Sequence, residues 1–436
     1  MQSLIIRVPL LVALLALPSA ASAQQPLYVF LRAAEEGGAL DVREAELTRD
    51  QARSQVDEAR ARLLPSLSAS AGYTRNQAEV VAEFPAPDDT GMLQTQRAVI
   101  TPYDQLEARV ALTVPLIDVG AWSSFFGAEA SADAETMRAD ARAIDVRVSV
   151  VTAYHALVAA RAVQDAAART LSAAEENLAV VSSRADAGLA SELDRQRAIA
   201  DVERAHQSVA EADLQEALAS RQLYVATSLE PDGTRASLDA SLEDEAPLAT
   251  WMRAASDLPA VRAAVHDVRA AELARDAAWQ SMLPTISASA SERITNAAGF
   301  GPEALWAVGV SASWVLDFGR PASLGTRERQ IALAEVRLDR AQRSAETSIY
   351  EAWHRVRSLV ARARSARAAE AASERAAVVA RARAEAGTGT QLELSQAERD
   401  LFSASVQRIQ ADADLEVSRL ALRLRSGLSI DAGGTP

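Results

Sequence analysis

Residues Leu63 to Thr74 read LLPSLSASAGYT, and Met282 to Ser291 read MLPTISASAS. In both places an alanine-rich run with helical periodicity stops at Leu-Pro, and small residues then alternate with period two. The stop is steric: proline disfavours the α region for the residue before it, so the first helix ends at Leu64. From Ser66 to Tyr73, Leu67, Ala69, Ala71 and Tyr73 fall on one face, the pattern of a strand with one apolar side. Ile286, Ala288 and Ala290 alternate in the same way with Thr285, Ser287 and Ser289.

Outward from these strands the whole chain is duplicated. Pro65 matches Pro284 at an offset of 219. PLIDVGAW (Pro115 to Trp122) matches WVLDFGRP (Trp314 to Pro321) at an offset of 199, aligning Asp118 with Asp317 and Gly120 with Gly319. AGLASELDRQRAIAD (Ala187 to Asp201) matches AGTGTQLELSQAERD (Ala386 to Asp400), and Tyr154-His155 matches Trp353-His354, both at offset 199. The difference of 20 residues therefore falls between the two strands of each half, in a variable loop that carries EFPAPDDTG in the first copy.

Each half reads helix, strand, loop, strand, very long helix, turn, helix. The first helix spans 27–64, and the second strand starts at Leu106. Its Leu106, Ala108, Val110, Leu112, Val114 and Leu116 share one face, opposite Glu107, Arg109, Ala111 and Thr113. In the second half Trp306, Val308, Val310, Ala312 and Trp314 alternate one residue out of phase, measured back from the Asp-x-Gly. Either a β-bulge takes up the step, or the register is misread in one copy.

The spacing predicts a first repeat over 24–229, with a strand hairpin 66–117, a coil 121–187 and a return helix 191–227. An equatorial linker covers 230–249. The second repeat covers 250–430, with a hairpin 285–316, a coil 320–386 and a return helix 390–427, before a tail 431–436. The run from Ala121 to Ala187 holds no proline, and such a helix is roughly 100 Å long at 1.5 Å per residue. Leu171, Ala174, Leu178, Val181 and Ala185 step by three and four, as in a coiled coil; Glu370 and Ser373 interrupt that stripe in the second copy. The return path comes in two pieces, Glu192 to Thr227 and Thr250 to Met282. They are separated by SLEPDGTRASLDASLEDEAP, and stacked end to end they match the rod.

Composition bounds the function. The 436 residues are 49% hydrophobic and only 4% aromatic, which suits long, closely packed helices. Net charge is −14 and no basic stripe with interleaved aromatics occurs, so nucleic acid is not an expected partner. Cysteine is absent, which excludes disulfides, thiolate metal sites and a lipid-anchored N-terminal cysteine. Arg7 is followed by an apolar core and then Ala21-Ser22-Ala23, so 1–23 reads as a secretory signal peptide. A mature chain that enters a second membrane is then expected to do so as strands. Four strands cannot close a barrel, which takes about eight, and open edges are not tolerated in lipid. Either several chains pool their strands, or the sheet lies outside lipid in a soluble periplasmic coiled-coil adaptor or scaffold.

The duplicated order LLPSLS, PLIDVG, long coil, AGLASELD, after a signal peptide, resembles the TolC-like outer membrane efflux proteins, the outer membrane factor family. The resemblance covers about residues 27–430. Its marks are the Leu-Pro strand entries (Pro65, Pro284), the Asp-x-Gly exits (Asp118, Gly120; Asp317, Gly319) and the Ala-Gly turns (Gly188, Gly387). It implies a mainly α fold with a membrane β-barrel part, built as a homotrimeric α/β-barrel channel in outer-membrane lipid, with most of the chain in the periplasm. It also implies a passive conduit fed by a periplasmic adaptor protein and an inner-membrane transporter, in drug or metal efflux or in type I secretion.

At the turns, Gly188 and Gly387 stand where a left-handed glycine ends a helix. Ser191-Glu192-Leu193-Asp194 and Thr390-Gln391-Leu392-Glu393 fit the capping box that starts the next one. The resemblance implies a second role for Glu192, Asp194 and Glu393, as acidic rings at a constricted mouth that favour cations and raise their own pKa values by repulsion. An acid implied one helical turn beyond Glu393 is replaced by Gln396. No catalytic or cofactor motif is present, and GTGTQL follows a helix instead of a strand, so neither an enzyme nor a cofactor is expected. His155 and His354, duplicates of one site, read as packed or solvent-facing positions on a coil, not as metal ligands. RARAEAG and SLEDEAP read as solvated surface. Trp306 and Trp314 are candidates for an aromatic girdle, with core packing the alternative for Trp314.

Overall fold

Both helix-to-strand transitions fall at the prolines. The computed structural model describes residues 25–87, 91–232, 238, 240–315 and 319–428. The signal-peptide residues 1–23, Asp317 and the tail 431–436 lie outside these. In chain order come α1 (Leu27–Ala33), a π-turn (Ala34–Gly38), α2 (Leu40–Ala61), β1 (Ser66–Arg75), β2 (Val80–Pro87), β3 (Leu93–Thr101), β4 (Asp104–Ile117), α3 (Val119–Asp186) and α4 (Glu192–Thr227). Then come α5 (Leu248–Met252), a 3-10 turn (Ala255–Asp257), α6 (Pro259–Gln280), β5 (Thr285–Thr295), β6 (Ala304–Ser313), α7 (Gly319–Glu385) and α8 (Gln391–Arg425). β1 starts directly after Pro65 and β5 directly after Pro284.

Three details differ from the pattern read in the sequence. The helix expected over 27–64 is broken by the π-turn, where Gly37 takes φ 99°. The piece expected over 250–282 is interrupted before Pro259, whose missing N–H fits a first-turn position; Leu258 is the N-cap there. The variable loop is not irregular: β2 and β3 pair as a two-stranded ribbon apart from the main sheet. Pro85 and Pro87 sit in β2, and a two-stranded ribbon has free edge positions where proline's missing donor costs nothing.

The main sheet is antiparallel, in the order β1-β4-β5-β6. Leu67 pairs with Leu112, Leu112 with Ala290 and Ala290 with Val308, so the apolar residues of all four strands form one face. The opposite face carries small polar residues and the Arg293–Glu107 ion pair at 2.9 Å. The one-residue phase step is a bulge: Pro115 pairs with Ser287, Ile117 with Ile286, and Leu116 is skipped. Ile117 thus resumes the face that Val114 leaves. Among the described residues, the outer strands β1 and β6 each pair along one edge only.

The chain forms two compact units, 1–42 with 144–248 and 351–436, and 43–143 with 249–350. Each draws on both repeats. The second holds the sheet. In it Asp118 caps α3, its Oδ1 accepting from Ala121 N at 2.9 Å, and Ser123 donates to Gln280 of α6 at 2.6 Å. Gly120 has no left-handed φ; a Cβ there would stand 3.5 Å from Ser281 N, an ordinary contact. Trp306 is 78% exposed and Trp314 63%, the latter donating Nε1–H to Met282 O. Neither is core.

The first unit has a core of Phe30, Val146, Val150, Tyr154, Leu157 and Leu223, with Leu229 and Leu238 packed against it. Phe30 and Tyr154 meet with ring centroids 5.7 Å apart. α3 is the one helix among the described residues long and apolar enough by composition to cross a bilayer. Its Val150, Leu157 and Val158 are instead buried in this core.

Candidate functional site

The ends of the four long helices of the first unit carry the site. α3 closes with two bonds of a Schellman motif: Leu189 N donates to Arg184 O at 2.7 Å and Gly188 N to Ala185 O at 3.0 Å. The second copy repeats it, Thr388 N to Arg383 O at 2.9 Å and Gly387 N to Ala384 O at 3.2 Å. Gly188 has φ 74° and Gly387 φ 73°, with open space around each Cβ position. The need for glycine is therefore backbone conformation alone. Gly188→Ala or Gly387→Ala is expected to cost about 1–2 kcal/mol each, read as a lower unfolding midpoint; no change would place the turns outside the left-handed region.

Both capping boxes are formed. Ser191 Oγ accepts from Asp194 N at 3.1 Å, and Asp194 Oδ2 accepts from Ser191 N at 3.3 Å. Thr390 and Glu393 do the same at 3.2 Å in each direction. Asp194 and Glu393 therefore each satisfy an otherwise unpaired helix-start donor. Glu192 accepts from Gln196 Nε2 at 2.8 Å and pairs with Arg195 at 2.6 Å. Gln196 and then Arg195 hold the Glu192 carboxyl below its ordinary pKa. Leu189 beside these acids is 80% exposed.

Just inside the turns the two helix pairs are tied together. Arg184 of α3 donates Nη1–H to Ala384 O at 2.9 Å and Nη2–H to Glu385 O at 3.0 Å. These carbonyls end α7, where neither receives the regular i+4 amide, although Ala384 O also accepts from Gly387 N. Ser395 of α8 donates to Asp201 Oδ2 of α4 at 2.6 Å; Arg204 also binds Asp201, and Arg381 pairs with Glu398 at 2.5 Å. A cavity of about 430 Å³ lies between the helices, lined by Val181, Arg184, Asp201, Leu394 and Phe402 among others. The amide nitrogen of Gln391 is buried there without a hydrogen-bond partner.

The sequence reading named the turn glycines and the acids, but not Arg184, Asp201 or Ser395. A signal existed: Arg184 matches Arg383 and Asp201 matches Asp400 at offset 199. The copies nonetheless act differently, since Arg383 donates to Thr388 O of its own turn. The junction residues Pro65, Asp118, Gly120, Pro284 and Gly319 belong to the other unit.

The family model for outer membrane efflux proteins matches residues 35–228 and 252–428, once per repeat, leaving the segment between them unmatched. No curated sequence matches the chain significantly. Among solved structures, a membrane protein from Pseudomonas aeruginosa superposes with a TM-score of 0.74 at 21% identity, covering 94% of this chain and 98% of that one. The open state of the Neisseria gonorrhoeae MtrE outer membrane channel gives 0.75 at 20% identity, covering 94% and 91%. The Campylobacter jejuni CmeC outer membrane channel gives 0.74 at 16% identity, covering 93% and 86%. These likenesses carry the fold; the family model carries the membership.

Proposed function

The chain belongs to the outer membrane efflux protein family, and from that premise we propose that this efflux channel is a homotrimer, gated at the α3–α4 and α7–α8 turns and working with two other proteins. The observation that carries the trimer is the main sheet, which has four strands, one apolar face and two open edges. An open sheet is not tolerated in lipid, so β1 of one copy pairs with β6 of the next. Exposed Trp122, Phe126, Trp306 and Trp314 suit the interfaces flanking such a barrel.

The channel itself is passive. A periplasmic adaptor and an inner-membrane transporter supply cargo and energy, and exposed Leu189, Leu193 and Leu392 offer the adaptor an apolar footing at the turns. Three copies of Glu192, Asp194 and Glu393 ring the mouth and favour cations. The ties from Arg184 and Ser395 hold it shut. The soluble-adaptor alternative is set aside, because the family match spans both repeats.

Native mass spectrometry of the mature protein, extracted from outer membranes in detergent, tests the assembly: three chains are expected. A monomer in the soluble periplasmic fraction would overturn it. For the gate, Asp194→Ala with Glu393→Ala is expected to reduce cation preference in planar bilayers while the trimer persists. Unchanged conductance and selectivity would leave those carboxylates as caps alone.

A further inference from the structure

The segment between the repeats is tied differently at its two ends. Its first end is apolar: Leu229 and Leu238 pack on the core formed largely by α3 and α4. Its second end, Ala240–Ala246, lies against α7 and α8 and is held through its backbone. Arg367 donates to Ala240 O at 2.6 Å, Arg364 to Leu242 O at 3.4 Å, and Trp353 Nε1–H to Ala246 O at 2.9 Å. Arg419 donates to Glu243 O and pairs with Glu245 at 3.4 Å. SLEDEAP, which reads as solvated surface, thus has three of its own carbonyls and that of the preceding Ala240 bonded to side chains of the second repeat.

Arg367 is itself fixed. Its Nε–H donates at 3.0 Å to Asp412, whose side chain is 1% exposed. Arg408 donates to the other Asp412 oxygen at 3.2 Å and pairs with Glu370 at 2.7 Å. The order Glu370, Arg408, Asp412, Arg367, Ala240 O links α7, α8 and the strap. The first repeat lacks it: at offset 199 stand Leu171, Val209 and Ala168, and the retained acid, Asp213, accepts from Gln164 at 2.7 Å. Arg419 and Arg364 likewise match Ser220 and Asp165. Glu370, which interrupts the coiled-coil stripe, is one end of the relay.

We infer that Leu238 and residues 240–246 form a latch, anchored by apolar packing to α3–α4 and fastened by the buried ion relay to α7–α8, and that this fastening restrains the channel from opening. The inference rests on the channel reading above. The first end adds to its apolar packing two backbone donors, Leu229 N to Thr227 Oγ1 at 3.3 Å and Asp232 N to Gln25 Oε1 at 3.0 Å. The charged end can be released and remade, since each bond it loses is replaced by one to water.

The test replaces three relay members with their first-repeat counterparts, Arg367→Ala, Glu370→Leu and Arg408→Val, together with Asp412→Ala at the acid that both repeats share. Exchanging a buried ion network for apolar residues is often neutral for stability. Arg419→Ser releases the strap by a separate route that leaves the relay intact. Both variants are expected to form trimers, with cleavage by a Glu-specific protease at Glu243 and Glu245 faster by roughly tenfold and a higher open-channel current in planar bilayers. Parental cleavage rates in both would overturn the fastening. Faster cleavage with parental current would overturn the restraint. If neither the parent nor either variant passes current, the channel reading and the restraint fall together, while the cleavage rates still decide the fastening by themselves.

Discussion

Gly38→Ala is expected to destabilise the protein by about 3 kcal/mol or more. The π-turn that ends at Gly38 lies against the end of α4, and a Cβ at Gly38 would stand 2.1 Å from Thr227 O and 2.5 Å from Ala33 O. Both are backbone atoms, so neither can rotate away. α4 ends there with Ser228 in the left-handed region at φ 55°, and Ser228 Oγ–H donates to Gly38 O at 2.8 Å. Moving the turn outward would break that bond and draw Phe30 from the core. Gly37→Asn is the comparison: a Cβ there meets nothing within 4 Å, and asparagine tolerates left-handed backbone. The thermal midpoint should drop for Gly38→Ala and hold for Gly37→Asn. Equal midpoints would refute the close approach.

The second large effect is a loss of stability in mild acid. His155 lies on α3 beside Tyr154, ring centroids 5.3 Å apart, with both imidazole nitrogens buried and without a hydrogen-bond partner. Burial lowers its pKa from 6.5 to about 4. The unfolded chain therefore binds a proton that the folded chain refuses. The neutral, buried ring contributes its full stability above pH about 6.5; that is lost as pH falls toward 4, amounting to about 3 kcal/mol. Carboxylates also titrate in this range, so the difference between parent and His155→Leu isolates the ring. The parent should lose more stability than the variant between pH 7 and pH 4. Parallel pH profiles would mean that the folded chain accepts the proton.

Signals confined to a few neighbouring residues were legible without coordinates. The proline stops, the left-handed glycines after both coils and the two capping boxes depend on atoms within about five positions of one another. Strand alternation is equally local, and the offset of 199 multiplied each signal by two. The sequence could also pose the one-residue phase step, but only strand pairing showed that Leu116 is skipped.

The ties between helices were not legible. Arg184 carries no local mark separating it from the other arginines of α3; its task is set by Ala384 and Glu385, some 200 positions away. Glu370 looked like a defect in an apolar stripe, because its partner Arg408 comes from the antiparallel helix. Gly38 was unremarked because the clash it avoids involves Thr227. Sequence alone therefore determined the strand entries after Pro65 and Pro284, the turns after both coils and the repetition of the pattern, since sterics and backbone hydrogen bonding act between neighbours. It did not give the π-turn, the break before Pro259 or the β2–β3 ribbon. Only the tertiary structure decided which charges are buried together and which backbones touch, since those depend on packing that brings distant residues within hydrogen-bond reach.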